Sequence, residues 1–169
     1  MRVSHLCIVL ASLCAITLAQ TAEPADPYAA LKQRAGSAVA AERAREKLNP
    51  CHNSSGPEQV LCPSDELDRS TRNYLQLTSA IVGLLRVYEG NGDADDQKNE
   101  DRIAKDFNVA ESAWSKYRQA QCETLSSDLN PDDDRGHLTS ATIWSCKLAV
   151  TRQHIYELNA VYDWLWSSK

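Results

Sequence analysis

Cysteine placement constrains this chain more than any other feature. Of six cysteines, Cys7 and Cys14 fall in an apolar leader, which leaves Cys51, Cys62, Cys122 and Cys146. An even number of cysteines in a small exported domain reads as a disulfide framework, and four cysteines admit three pairings. Cys51–Cys62 with Cys122–Cys146 is the favoured one. The first link closes the turn that leads into a long helix. The second ties the end of one helix to the opening turns of the next, which an antiparallel hairpin brings together. Each closure is worth about 3 kcal/mol in the chain-entropy model. The chain has no Cys-x-x-Cys, and no Cys/His group has zinc-finger spacing, which argues against a thiol–disulfide catalyst or a zinc site.

The exported context comes from the first residues. Arg2 supplies a positive start, Leu6 to Leu18 is apolar but too short to span a bilayer, and Thr17-Leu18-Ala19 ends it with small residues. Cleavage is predicted after Ala19, with Ala22 as second choice. Leu6 and Leu13 precede the leader cysteines where a lipoprotein needs a small residue, so a lipid anchor is disfavoured, and stable membrane insertion is disfavoured because no later stretch approaches a transmembrane length. The expected organisation is a signal peptide over 1–19, a linker and Ala-rich helical arm over 20–50, and a helical domain over 51–169. Eighteen basic against 23 acidic residues give a net charge of −5, one unit more negative without Arg2. That argues against nucleic acid and anionic lipid. It is compatible with a basic protein partner, but a surface that is acidic simply for solubility is the plainer reading.

Helical periodicity dominates the remainder. Leu67, Thr71, Tyr74, Thr78, Ile81, Leu85 and Tyr88 mark one face of a long helix. Pro63 and Ser64 are its predicted start, with Asp65 and Glu66 favouring the positive end of the helix dipole. A polar loop to about Gln97 follows, with Asp93 to Asp101 read as a flexible linker. The next helix is predicted over 99–126, with Ile103, Phe107, Ala110, Trp114, Tyr117 and Gln121 on its stripe. Asp128 to His137, with Pro131 and Gly136, reads as loop. The last helix begins near Thr139 and carries Trp144, Leu148, Thr151, Ile155, Leu158, Tyr162 and Leu165. Tyr28 to Leu48 is helical but thinly striped, so it either packs weakly or stands off as an arm. Nothing alternates with period two for long enough to form a strand. The predicted fold is all-α: a small disulfide-stapled antiparallel helical bundle or hairpin with three main helices plus an N-terminal one. Aromatic residues at this spacing are core residues, and Trp114 is expected to be buried between helices.

The segment Trp114-Ser-Lys-Tyr-Arg118-Gln-Ala-Gln-Cys122 carries the more specific signal. From Cys51 to about Leu158 the chain resembles the LprI-type lysozyme-inhibitor family of bacterial envelope proteins. The resemblance rests on Cys51, Cys62, Asp65-Glu66-Leu67, Ala113-Trp114, Arg118, Cys122, Cys146, Thr151 and Leu158 at matching spacing. The chain departs from the family's outline at Gln119, where Asp is usual, at Lys147 for Leu, and at His154 for Arg. It keeps only Gly136 of a glycine pair. The resemblance implies a protein-binding inhibitor of a lysozyme-like muramidase rather than an enzyme, working in the periplasm or outside the cell without a cofactor or metal. Two alternatives stay open: an immunity protein against a secreted cell-wall hydrolase, and an envelope structural or assembly factor that binds no hydrolase.

Candidate contact residues follow from chemistry. Asp132-Asp133-Asp134-Arg135-Gly136-His137 forms an acidic run pinned by the second disulfide, placed to approach the basic rim of a lysozyme cleft at reduced entropic cost. A solvated turn is the plainer reading. The run lacks the ligand pattern and closing Glu of an EF-hand. The Arg118 guanidinium is suited to bidentate contact with a partner carboxylate, or else to an intramolecular pair or helix-end cap. Core and disulfide neighbours favour the second reading. With His52, His137 and His154 as the mature histidines, no Gly-x-Ser-x-Gly, His-Glu-x-x-His or phosphate loop appears.

Overall fold

The structure is a computed structural model that describes residues 26–88, 94–127 and 136–167. The predicted leader and cleavage site lie outside the described residues. The chain forms α1 (Pro27–Leu48), α2 (Glu58–Tyr88), α3 (Ala94–Ser127), α4 (Gly136–Tyr162) and the short α5 (Trp164–Ser167). Among the described residues there is no strand. The all-α expectation holds, as does the cysteine pairing: Cys51–Cys62 and Cys122–Cys146 are both closed, with Cα atoms 5.7 and 5.6 Å apart.

Successive helices run antiparallel. Arg34 and Arg45 of α1 meet Gln76 and Glu66 of α2. Tyr74 and Arg86 of α2 meet Glu111 and Asp101 of α3. Phe107 and Arg118 of α3 meet Tyr162 and Thr151 of α4. α2 and α4 are therefore parallel, and this diagonal pair forms the most extensive interface. α1 and α3 each lie against that pair, and among the described residues their backbones do not approach one another. Leu77, Ile81 and Leu84 of α2, Ile155 and Leu158 of α4, and Leu165 of α5 sit at the centre of the core. Burying an aliphatic side chain of this kind contributes about 1.5–3 kcal/mol before entropy is counted.

The Ala-rich N-terminal helix is part of this body, not an arm standing off it. Its ends are well specified. The Asp26 side chain accepts from the Tyr28 backbone N–H at 2.9 Å, Pro27 occupies the first turn, and Asn49 closes the helix in the left-handed region at φ 43°. Its contact face is small rather than absent: Ala35, Ala38 and Val39 are buried, and small residues let two helices approach closely. Gly83 of α2 serves the same approach. A Cβ there would sit 2.8 Å from Leu31 Cδ2.

Three predicted boundaries are corrected. α2 begins at Glu58, so Cys62 and Pro63 are helical. Pro63 is interior to α2 and forfeits the bond to the Gln59 carbonyl, beside a cysteine fixed by its disulfide. α3 begins at Ala94, so the stretch to Gln97 and the supposed linker to Asp101 are helix from Ala94 onward. α4 begins at Gly136, so Gly136 and His137 belong to a helix and not to the preceding loop.

Candidate functional site

The least expected feature of the core is charge. On α2 the buried line runs through Glu66, Ser70, Tyr74, Leu77, Ile81 and Leu84. Two polar positions thus stand at its first turns, while Leu67, Thr71 and Thr78 are only half-buried at its edge. Glu42 of α1 and Glu66 of α2 are 1% and 3% exposed, a burial that a carboxylate tolerates only when paired. Both are paired. Arg45 grips Glu66 through two bonds, Nη2 to Oε1 at 2.6 Å and Nε to Oε2 at 2.8 Å. Arg152 of α4 bonds Glu42 from Nε at 2.7 Å and lies 3.6 Å from Glu66. Asn73 supplies Glu42 with a further donor at 2.7 Å. The hydrogen bonds from Arg45 hold the Glu66 carboxyl below the usual glutamate range, against the opposing effect of its burial.

Beside this cluster lies an open groove of about 650 Å³, bounded by the C-terminal end of α1, the turn through Pro50 and Cys51, the start of α2 and one face of α4. Arg152 and Glu66 are at its base, and Leu148, Ala149, Ala160 and Pro63 give it apolar walls. Tyr156 spans it, its hydroxyl donating to Glu46 at 2.6 Å. Burial and this carboxylate together push the Tyr156 phenol well above its ordinary value, so it remains a donor at any physiological pH. Apolar and polar residues are mixed around α4 without a sharp apolar stripe. Here the side carrying Ala149 and Ala160 is exposed.

On the other flank of the α2–α4 pair, Trp114 of α3 stacks on His154 of α4, with ring centroids 3.9 Å apart and planes 13° from parallel. Tyr74 tilts against Trp114 at 5.0 Å. Glu111 draws both neighbours in, accepting from Tyr74 Oη at 2.9 Å and lying 2.9 Å from His154 Nε2. Trp114 is thus packed against the core as expected, but half-buried rather than enclosed.

Arg118 has intramolecular partners. Its Nη1 donates to Thr151 Oγ1 at 2.8 Å, and its guanidinium lies 5.1 Å from the Trp114 ring centroid, where ring and cation attract. It joins α3 to α4 as neither an ion pair nor a helix cap. Asp132, Asp133 and Asp134 lie outside the described residues, as does the side chain of His137, whose backbone is in the first turn of α4. Sequence reading missed the buried Glu42 and its neighbourhood of partly buried charges, Arg45, Glu111 and Arg152. The available signal was a charge at a core register of the helical repeat. Among the described residues no three His, Cys, Asp or Glu side chains converge as a metal-binding set. No described helix is long and apolar enough to cross a membrane.

Comparison with known proteins adds one finding. The family model described as "Lysozyme inhibitor LprI" matches residues 28–158, from the first turn of α1 to the last buried leucine of α4. No curated protein and no solved structure matches the chain.

Proposed function

We propose that this chain, which belongs to the LprI lysozyme-inhibitor family, binds and blocks a lysozyme-like muramidase in the periplasm or outside the cell. The observation that carries this reading is the extent of the family match, which takes in α1, α2, α3 and nearly all of α4. A body of helices cross-linked at two places suits inhibition by contact, because a surface already ordered loses little entropy on binding. The net charge of −5 adds long-range attraction to a basic hydrolase. Nothing in this reading requires a catalytic group, a metal or a cofactor.

The proposed contact residues Asp132, Asp133, Asp134 and His137 rest on sequence alone. Arg118 acts in this scheme by fixing α3 against α4 rather than by touching the partner. The test is a turbidity assay of cell-wall lysis at two salt concentrations, with wild type and the triple variant Asp132→Asn, Asp133→Asn, Asp134→Asn. Inhibition by wild type that weakens with salt, and weakens again in the variant, supports the reading. Equal potency of the two proteins removes the acidic run from the mechanism. No inhibition of any lysozyme class by wild type moves the weight to the immunity or assembly alternatives.

A further inference from the structure

We infer that the groove between α1 and α4 seats a cationic, partly apolar protrusion of the protein this chain binds. The inference deepens the muramidase reading, and rests on it only for the identity of the donor. Its first ground is unbalanced charge. Three carboxylates line the groove, Glu46, Glu66 and Glu157, against one guanidinium, Arg152. Glu66 is answered by Arg45 and Arg152. Glu46 and Glu157 are not: among the described residues neither meets a Lys or Arg side chain. Glu46 accepts from the Tyr156 hydroxyl. Glu157 accepts from the Gln153 amide at 2.8 Å and lies 3.4 Å from His154 Nδ1, with 55% of its side chain exposed. Both are exposed, both are held in place by neighbours on α4, and both can take further donors.

The second ground is shape. A Lys or Arg side chain is a long apolar stem with a charged head. Ala149, Ala160 and Leu148 offer a surface for the stem, and the two carboxylates offer ends for the head. The volume of about 650 Å³ admits more than one side chain, so the occupant is a short segment of a loop. The third ground is rigidity. The Pro50–Cys51 wall is fixed by the Cys51–Cys62 bond and the base by the paired charges, so little ordering is left for the binding event. An anionic occupant meets repulsion from Glu46 and Glu157. A second copy of this chain carries the same net charge of −5, which opposes its approach.

The experiment has two arms. In the first, affinity and inhibition against a basic c-type lysozyme and a bacterial muramidase are measured for four proteins. These are wild type, the pair Glu46→Gln with Glu157→Gln, the groove-filling Ala149→Arg, and Val109→Arg on the exposed side of α3 as control. Thermal melts establish that each is folded. The paired variant should bind about tenfold more weakly, Ala149→Arg should bind more weakly still, and Val109→Arg should match wild type. In the second arm, ¹⁵N-labelled wild type is titrated with the peptide acetyl-Arg-Leu-Lys-Leu-Arg-amide at millimolar concentration. Amide shifts should gather at Ala149, Gln153 and Ala160, and vanish in the paired variant. Where a muramidase is bound, the first arm decides, and groove variants as potent as wild type overturn the inference. Where wild type binds no muramidase, the muramidase reading falls and the titration decides. Shifts confined to the groove then support it with another basic protein as donor, and absent or scattered shifts overturn it.

Discussion

The two flanks of the α2–α4 pair are built on different physics. Toward α1 the contact is made of alanines, Val39 and a set of buried charges; toward α3 it is made of stacked rings. α1 presents Ala35, Ala38 and Val39, which bury little area each and slide past a smooth partner with little penalty. The Glu42–Arg152 and Glu66–Arg45 bonds give that contact one register, because a shift of one turn would strand two carboxylates in the interior. Trp114, Tyr74, His154 and Phe107 supply area and shape directly. Buried ion pairs are poor sources of net stability compared with apolar replacements, yet breaking one is costly. The comparison therefore teaches that one flank is held mainly by what its misalignment would cost, and the other by what its packing contributes.

The largest test falls on the charged flank. Arg152→Ala should destabilise the protein by about 3–5 kcal/mol, since it leaves Glu42 buried with only Asn73 as donor. Urea unfolding measures the loss, and hydrogen exchange should locate it in α1. Replacing Glu42 and Arg152 together by Leu should cost far less. If the double replacement proved as damaging as Arg152→Ala, the argument from stranded charge would be wrong. On the ring flank, Trp114→Ala should cost about 3 kcal/mol, the lower part of the range for a large aromatic because the ring is half-buried. Unchanged stability with abolished partner binding would make Trp114 an interface anchor instead.

The same contrast explains how far the sequence could be read. The apolar core positions of α3 and α4 were legible: Phe107, Trp114, Ile155 and Leu158 stand at helical spacing and lie in or against the core. The cysteine pairing followed from helix order. The charged flank was not legible, because apolar periodicity assigns Glu66 and Ser70 to the outside. The predicted stripe of α2 was thereby turned toward Leu67, Thr71 and Thr78. On α3 the same habit chose Ala110, Tyr117 and Gln121, which are exposed, over Ala104, Glu111 and Arg118. α1 looked like a weak helix for a related reason, since a face of small residues has little hydrophobic weight although it packs closely. The expected acidic contact run lies outside the described residues, and the groove gives no linear signal because α1, α2 and α4 each supply a part.

Acid should separate the flanks next. The Glu66 carboxyl titrates below its ordinary range because of its bonds to Arg45. A group whose folded pKa is depressed contributes stability above its unfolded value, which is lost as pH falls through the folded value. Wild type should therefore hold its stability at neutral pH and lose part of it on acidification below the ordinary glutamate range. Glu66→Gln, already less stable at pH 7, should show a shallower acid slope. Thermal melts of the two proteins from pH 7 to pH 2 check this, and parallel curves would assign the acid transition to other carboxylates.

The smallest expected effect sharpens the meaning of a charged flank. Glu66 faces two arginines besides Arg152, and they differ in geometry. Arg45, one third exposed, makes the paired short bonds. Arg69 is 54% exposed and reaches no closer than 3.5 Å. Water screens a pair of the second kind, and holding a long side chain in place offsets most of the attraction. Arg69→Ala should therefore change stability by no more than about 0.5 kcal/mol, whereas Arg45→Ala should cost several times as much, because it removes two charge-assisted bonds from a buried carboxylate. Urea titrations at low and high salt compare them. The Arg69 effect should vanish in high salt and the Arg45 effect should persist. Equal costs would mean that proximity of charge, rather than bonded geometry, stabilises the buried Glu66 carboxylate.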